Sequence, residues 1–350
     1  MLDSVHTIRC ENPLEKMWDS FLFFESESTT KSFLGSVYER SHPEKAAVHA
    51  FQNTSKFIYY IKQARQYYRS AQTSDILVRP LLLYYGMVSL IKAFLVTRDP
   101  DYPSSSKVLQ HGLTNRKIKK SFYSFAEEEV KVQKDGLLPH LCKFINQTPL
   151  GDKYKVQDLL AIIPELQTAY RQLYKTPTLV EVIVTPESGT SKGCTPFYLP
   201  ESVLDSLHLT LNGFIHYINR WNKGMGSFKT TGTEIYSRLV KCEWHHPNGI
   251  DPSLNGQGFE NPLFIADFKG NFYFRLNNEI QIDEIINHYM VMYVLGMMCR
   301  YETERWGEII FSFASEDMYM IHEFLSASAR KFPNMIYDLL LNQRHIFLVN

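Results

Sequence analysis

Residues 80–98, PLLLYYGMVSLIKAFLVTR, read as one helix that is apolar on nearly every face and carries a single lysine, Lys92. A helix without a polar face has nowhere to sit but the middle of a fold. Pro80 suits its first turn, and Asp99-Pro100 stops it. The lysine then needs a partner or a purpose, because an unpaired buried charge is costly. After the helix come a turn-rich loop, DPDYPSSS, a lone His111-Gly112, and a basic run from Arg116 to Lys120. Residues 80–120 are therefore the first place to look for a site.

A second apolar run, Tyr289 to Cys299, is too short to span a bilayer and reads as another core helix. With 44% hydrophobic residues in 350, the chain has ample material for a core. Formal net charge is zero, so binding to nucleic acid or an anionic surface has to come from a local patch. Five cysteines lie far apart with no CxxC pair, as expected of reduced thiols in a cytoplasmic protein. The N-terminal residues show no apolar signal core, and no membrane association is expected.

The texture changes twice along the chain. Residues 44–72 place Ala47, Phe51, Phe57, Ile58, Ile61 and Tyr68 near helical spacing. Residues 127–138 read as a short strand and turn, and 156–175 as a helix that Pro164 kinks or splits. From about 178, TLVEVIVTP, PFYLP, LHLTLNG, TEIYSRLVKCEW and PLFIADFKGNFYFR are β-rich runs between turn residues, with Lys269-Gly270-Asn271 at a hairpin tip. Residues 281–300 and 316–345 return to helix. The expected fold is α+β and mainly α: a helical region over 1–177, a β-rich insertion over 178–278, and C-terminal helices over 279–350 packing on the helical core.

Residues 17–147 resemble the YaaC-like family of bacterial proteins. FIYYIKQARQYY (57–68), PLLLYYGMVSLIKAFL (80–95), LQHGLTNRKIKK (109–120) and EEEVKVQKDGL (127–137) carry the likeness, and LGMMCRYETERW (295–306) extends it. The order Tyr84, Tyr85, Lys92, Ala93, His111, Gly112 also resembles HEPN-type helical domains, which implies a HEPN-like bundle. Many of those are ribonucleases that depend on an Arg-x(4–6)-His motif. The in-range match here, Arg238 and His245, falls in a β-textured segment, which argues against cleavage.

Tyr85, Ser89 and Lys92 lie at i, i+4 and i+7, so they form one stripe able to anchor a phosphate or carboxylate. His111, Arg116 and the basic run, interleaved with Phe122, Tyr123 and Phe125, suit single-stranded RNA or a nucleotide. Arg300 closes the second apolar helix, where the helix dipole favours a cation and Glu302 or Glu304 offers a partner. If Arg300 instead turns inward, it meets Lys92 and His111 in a basic site. Cys242, His245 and His246 have zinc-ligand chemistry but no fourth ligand, so no metal site is expected, and no cofactor motif is present.

These readings converge on a binder of an anionic ligand, RNA or nucleotide phosphate, through Tyr85, Ser89, Lys92, His111, Arg116 and Arg300. The alternatives are a HEPN-like ribonuclease using Arg238 and His245, or a structural or protein-interaction module, either of them open to homo-oligomer formation.

Overall fold

The computed structural model describes residues 4–115, 123–145, 147, 150–184, 194–222, 226–230, 238–245, 261–277, 281–312 and 316–350. The chain opens with β1 (Val5–Cys10) and four helices: α1 (Pro13–Ser20), α2 (Glu27–Ser41), α3 (Ala46–Thr73) and α4 (Arg79–Arg98). Then come β2 (Leu113–Asn115), β3 (Glu129–Val132), α5 (Leu137–Cys142), β4 (Lys153–Lys155), α6 (Val156–Ala161) and α7 (Gln167–Tyr174). The middle holds β5 (Leu179–Val184), β6 (Cys194–Pro200), α8 (Ser202–Leu207), α9 (Leu211–Arg220), β7 (Ser227–Thr230), β8 (Leu239–His245), β9 (Phe264–Ala266) and β10 (Phe272–Arg275). α10 (Glu284–Tyr301), α11 (Thr303–Phe311), α12 (Asp317–Leu341) and β11 (Arg344–Val349) complete it. The protein is mixed α+β and mainly helical.

By contacts the chain forms two compact units. One is mostly helical and joins Arg9–Leu160 to Ile282–Leu341; the other contains Ala161–Gln281 with residues from both chain ends. In the helical unit, α4 has the buried role its composition dictates. It is long and apolar enough to cross a membrane, yet 78% of its apolar window is buried within the fold. Buried polar groups around it are satisfied: the Tyr38 hydroxyl donates to the Val96 carbonyl at 2.6 Å, and the Asn53 amide to that of Pro100 at 2.9 Å. α3 and α4 are antiparallel neighbours that approach closely at Gly86, where a Cβ would lie 2.6 Å from a ring carbon of Tyr68. α10 crosses α4 at Gly296, whose Cβ would fall 3.2 Å from Tyr84. The core face of α3 is set by Ala46, Ala50, Phe57, Ile61, Ala64 and Tyr68. Ala47 and Phe51 are exposed, so those two residues were misplaced by one helical position.

The other unit is organised by a six-stranded antiparallel sheet in the order β7-β8-β6-β5-β10-β9. Strand alternation sends Val240, Cys242 and Trp244 of β8 into a core with Phe197, Phe228, Phe264 and Phe274. The β9–β10 hairpin turns at Gly270, whose φ of 90° favours glycine. The expected strand LHLTLNG is instead the end of α8 and the start of α9. Thr210 caps α9 by accepting the Gly213 N–H at 3.2 Å, and Phe214 and Ile218 cover the sheet core. A helical stripe with a cap outweighed a short local alternation. Pro164 does split its helix, which becomes α6 and α7.

Candidate functional site

The stripe of polar residues on α4 meets a matching stripe on α3 within the helical unit. As α3 is read backward through Tyr67, Gln63 and Tyr60, α4 is read forward through Tyr85, Ser89 and Lys92, as antiparallel neighbours require. The Tyr67 and Tyr85 rings stack with centroids 5.8 Å apart. The Ser89 hydroxyl is within donating distance of Gln63 Oε1 at 3.1 Å and of the Tyr85 carbonyl at 2.9 Å. The Lys92 ammonium sits 5.8 Å from the Tyr60 ring centroid, within cation–π range. Ser89 is buried and already partnered, so it belongs to the helix interface and is no free donor for a ligand.

Arg300, in the last turn of α10, donates from its guanidinium to the Tyr85 hydroxyl at 3.0 Å. Glu302, its expected partner, goes to Arg305 at 2.6 Å instead, and Arg305 also faces Glu128 at 3.6 Å. Among the described residues, neither Lys92 nor Arg300 has a carboxylate partner. Burial lowers the pKa of Lys92.

His111 joins them. Its ring is half-buried, and its Nδ1 is hydrogen-bonded to the Tyr84 hydroxyl at 2.5 Å. That hydroxyl lies 3.3 Å from the Tyr289 hydroxyl, which donates to the His111 carbonyl at 3.2 Å. Four residues on, Tyr293 donates to the Leu113 carbonyl at 3.0 Å. Burial pushes the Tyr84 hydroxyl far up, so it stays protonated at any working pH. Glycines fix the loop: Gly112 has φ 77°, and a Cβ on Gly136 would meet the Gly112 Cα at 2.4 Å. The pKa of His111 is lowered, first by burial and then by the positive charges of Arg300 and Lys92. Along α4, Tyr85 and Lys92 lie about 10 Å apart at 1.5 Å per residue.

Other candidates separate. Arg116 and the basic run lie outside the described residues. Tyr123 and Phe125 are not stacking platforms: the Tyr123 hydroxyl reaches Met298 Sδ at 3.7 Å with Arg305 over its ring, and Phe125 is buried. Arg238, in left-handed backbone with φ 64°, immediately precedes β8, and His245 ends that strand. An extended strand at about 3.3 Å per residue sets them roughly 20 Å apart, so they share no site. A cleft of about 750 Å³ between α1 and α3 is lined by Glu15, Asp19, Glu25, Lys62, Arg65 and Arg69 among others, and those acids balance those bases. Glu25 is bonded to Arg65 and lies 4.0 Å from Lys62, so the cleft lacks the unbalanced charge found at Lys92 and Arg300.

The tyrosines of α10 were the part that sequence reading missed. Their signal was the i, i+4 spacing of Tyr289 and Tyr293 on a helix otherwise made of Met, Val and Leu. A family model described as YaaC-like Protein matches residues 22–340. The chain belongs to the YaaC-like family. That match takes in Tyr84, Lys92, His111, Tyr289 and Arg300 alike. Searches of curated proteins and of solved structures each return no match.

Proposed function

We propose that this YaaC-like protein binds an anionic ligand of the nucleotide class, with phosphate on Lys92, His111 and Arg300 and a base against the neighbouring tyrosine rings. The observation that supports this reading is that Arg300 donates to Tyr85 on the α4 stripe that also carries Lys92, and neither cation has a carboxylate partner among the described residues. Two positive charges that repel a third group are relieved by a negative ligand, and a phosphate supplies both the charge and the acceptors. Tyr60, Tyr67 and Tyr85 are partly exposed beside them, and such rings are sequence-tolerant stacking surfaces. His111 is held by Tyr84 through Nδ1, which leaves Nε2 for the ligand.

Titration calorimetry at low salt, with nucleoside mono-, di- and triphosphates and a short single-stranded RNA, tests the proposal. The expected result is saturable binding of at least one of them, weakened tenfold or more by Arg300→Gln and by Lys92→Met separately. A tenfold loss corresponds to about 1.4 kcal/mol. Absence of binding by every ligand at low salt, where charge attraction is strongest, would sink the idea. A preference for RNA over mononucleotides identifies a strand as the partner, and the reverse a free nucleotide.

A HEPN-like bundle with ribonuclease activity is the second reading. Its support is the run of Tyr84, Tyr85, Lys92, His111 and Gly112, and against it Arg238 and His245 stand at opposite ends of β8. We place the protein in the cytoplasm, in keeping with its five free cysteines.

A further inference from the structure

The sheet unit carries a second cluster that the nucleotide reading does not use. In the β6–β8 pair, Cys194 stands directly opposite His245 and Pro196 opposite Glu243. Residues opposite one another in an antiparallel pair share a face, and residues two apart on one strand share it too. Cys194, Glu243 and His245 therefore project from the same side, away from the core face that takes Cys242 and Trp244. The same parity separates two of the three residues whose zinc-ligand chemistry was legible in the sequence. Cys242 and His245 are three apart, hence on opposite faces, and His246 lies outside the described residues.

The three side chains converge. Cys194 Sγ is 4.0 Å from His245 Nε2, and a Glu243 carboxylate oxygen is 3.2 Å from that same nitrogen. All three donor atoms lie within 4.8 Å of one another. Sharing one nitrogen excludes a thiol–imidazole–carboxylate relay, in which the acid and the nucleophile must occupy opposite nitrogens of the ring. It suits donors aimed at a common centre. Tetrahedral zinc with ordinary bond lengths keeps sulfur, nitrogen and oxygen donors roughly 3.4–3.6 Å apart, within a few tenths of an ångström of the two distances seen. Cys194 is buried, whereas the His245 and Glu243 side chains are 33% and 22% exposed, so the cluster is open from one side. Lys229 and Lys241 act on the cluster from neighbouring positions, and Lys241 is also drawn over the Tyr198 ring at 6.0 Å.

We infer that Cys194, Glu243 and His245 form a binding site for a thiophilic divalent cation of the zinc class. The thiolate and the carboxylate together neutralise the ion, and His245 Nε2 supplies the neutral donor. Three protein ligands leave the fourth tetrahedral position, on the exposed side, to water or an added ligand. As the sulfur–metal bond forms, the thiol proton passes to solvent.

The test uses the full chain, reduced, treated with EDTA and desalted, then titrated with Co²⁺ and back-titrated with Zn²⁺. The expected result is one Co²⁺ per chain with a thiolate-to-cobalt charge-transfer band that Zn²⁺ abolishes. Cys194→Ser should remove the band, Cys10→Ser should leave it, and His245→Gln should weaken binding at least tenfold. Circular dichroism checks that each variant is folded; if Cys194→Ser is not, His245→Gln, at a partly exposed position, carries the comparison. No band in the wild-type chain at saturating Co²⁺ overturns the inference. So does a band that survives in folded Cys194→Ser, or unchanged affinity in His245→Gln.

Discussion

α10 handles charge in opposite ways at its two ends. At its start, Asp283 caps the helix by accepting the Ile285 N–H at 2.8 Å, and Glu284 is bonded to Lys331 of α12. His288 lies 3.9 Å from Glu284, and its Nδ1 is hydrogen-bonded to Ser328 at 2.9 Å. Burial by itself would push the Glu284 carboxyl up, but Lys331 and His288 outweigh it and hold it well below the usual carboxylate range. At its end, the exposed Arg300 donates to the Tyr85 hydroxyl and has no carboxylate partner among the described residues. The fold neutralises the ions it buries for its own sake. Lys92, half-buried on the same unit, is treated differently, with a ring and no carboxylate among the described residues.

The largest expected effect breaks the closed end. Lys331→Met strands a buried carboxylate, and loss of one partner from such a pair costs about 3–5 kcal/mol. Chemical denaturation should show that loss, and adding Glu284→Gln should restore part of it. The pH dependence has a fixed sign. Because the folded pKa of Glu284 is depressed, the unfolded chain takes up the proton first. Its stabilising contribution is complete above the ordinary carboxylate pKa and is lost as pH falls below that range. A Lys331→Met protein as stable as the wild type would erase the distinction between the two ends.

Next in size is the packing beneath the open end. Gly86→Ala forces a Cβ to within 2.6 Å of the fully buried Tyr68 ring, and overpacking of this kind costs about 1–3 kcal/mol. A lowered melting temperature with ligand affinity retained would show that the site tolerates a shift of α3 against α4. Loss of both would show that the facing stripes must keep their register.

How far these contrasts can be read from sequence depends on the range of the interaction that sets them. α4 declared itself, since an all-round apolar helix between Pro80 and Asp99-Pro100 has no other place to go. Lys92 stood out for the same reason, and Arg300 and His111 were legible as residues, though their contacts with Tyr85 and Tyr84 were not. What stayed hidden was set by partners distant along the chain. Ser89 resembled a ligand donor until Gln63 was seen opposite it, and Tyr289 and Tyr293 were indistinguishable from core aromatics until α10 was laid on α4. Cys194 could not be matched to His245 without the strand register, because a sequence separation of 51 leaves no local trace of it. Leu207–Gly213 shows the converse failure. Five alternating residues imitate a strand, and only the Thr210 cap with the stripe through Phe214 and Ile218 reveals the helix.

Lys92→Met tests the open end with a smaller stability effect. Removing a desolvated cation that has no carboxylate partner relieves a burial penalty and forfeits one ring contact. The expected change is within about 1 kcal/mol of zero, in either direction. Set beside Lys331→Met, a residue of the same type on the same helical unit, it separates a lysine that supports the fold from one the fold merely tolerates. A loss of several kcal/mol would mean that Lys92 is structural after all.

The smallest effect is the titration of His111. Its folded pKa is lowered, so the unfolded chain binds its proton more readily, and stability rises with pH across the window just below 6.5. Histidine resonances followed by NMR against pH should place His111 below the ordinary histidine value in the free protein. Arg300→Gln removes one of the two repelling charges and should move it part of the way back. An anion bound between Arg300 and Lys92 favours the imidazolium, so the His111 pKa should rise on saturation with ligand, and affinity should increase as pH falls through the same window. If the pKa is indifferent both to Arg300→Gln and to ligand, His111 does not share a site with the cations, and the open end of α10 reduces to two separate surface charges.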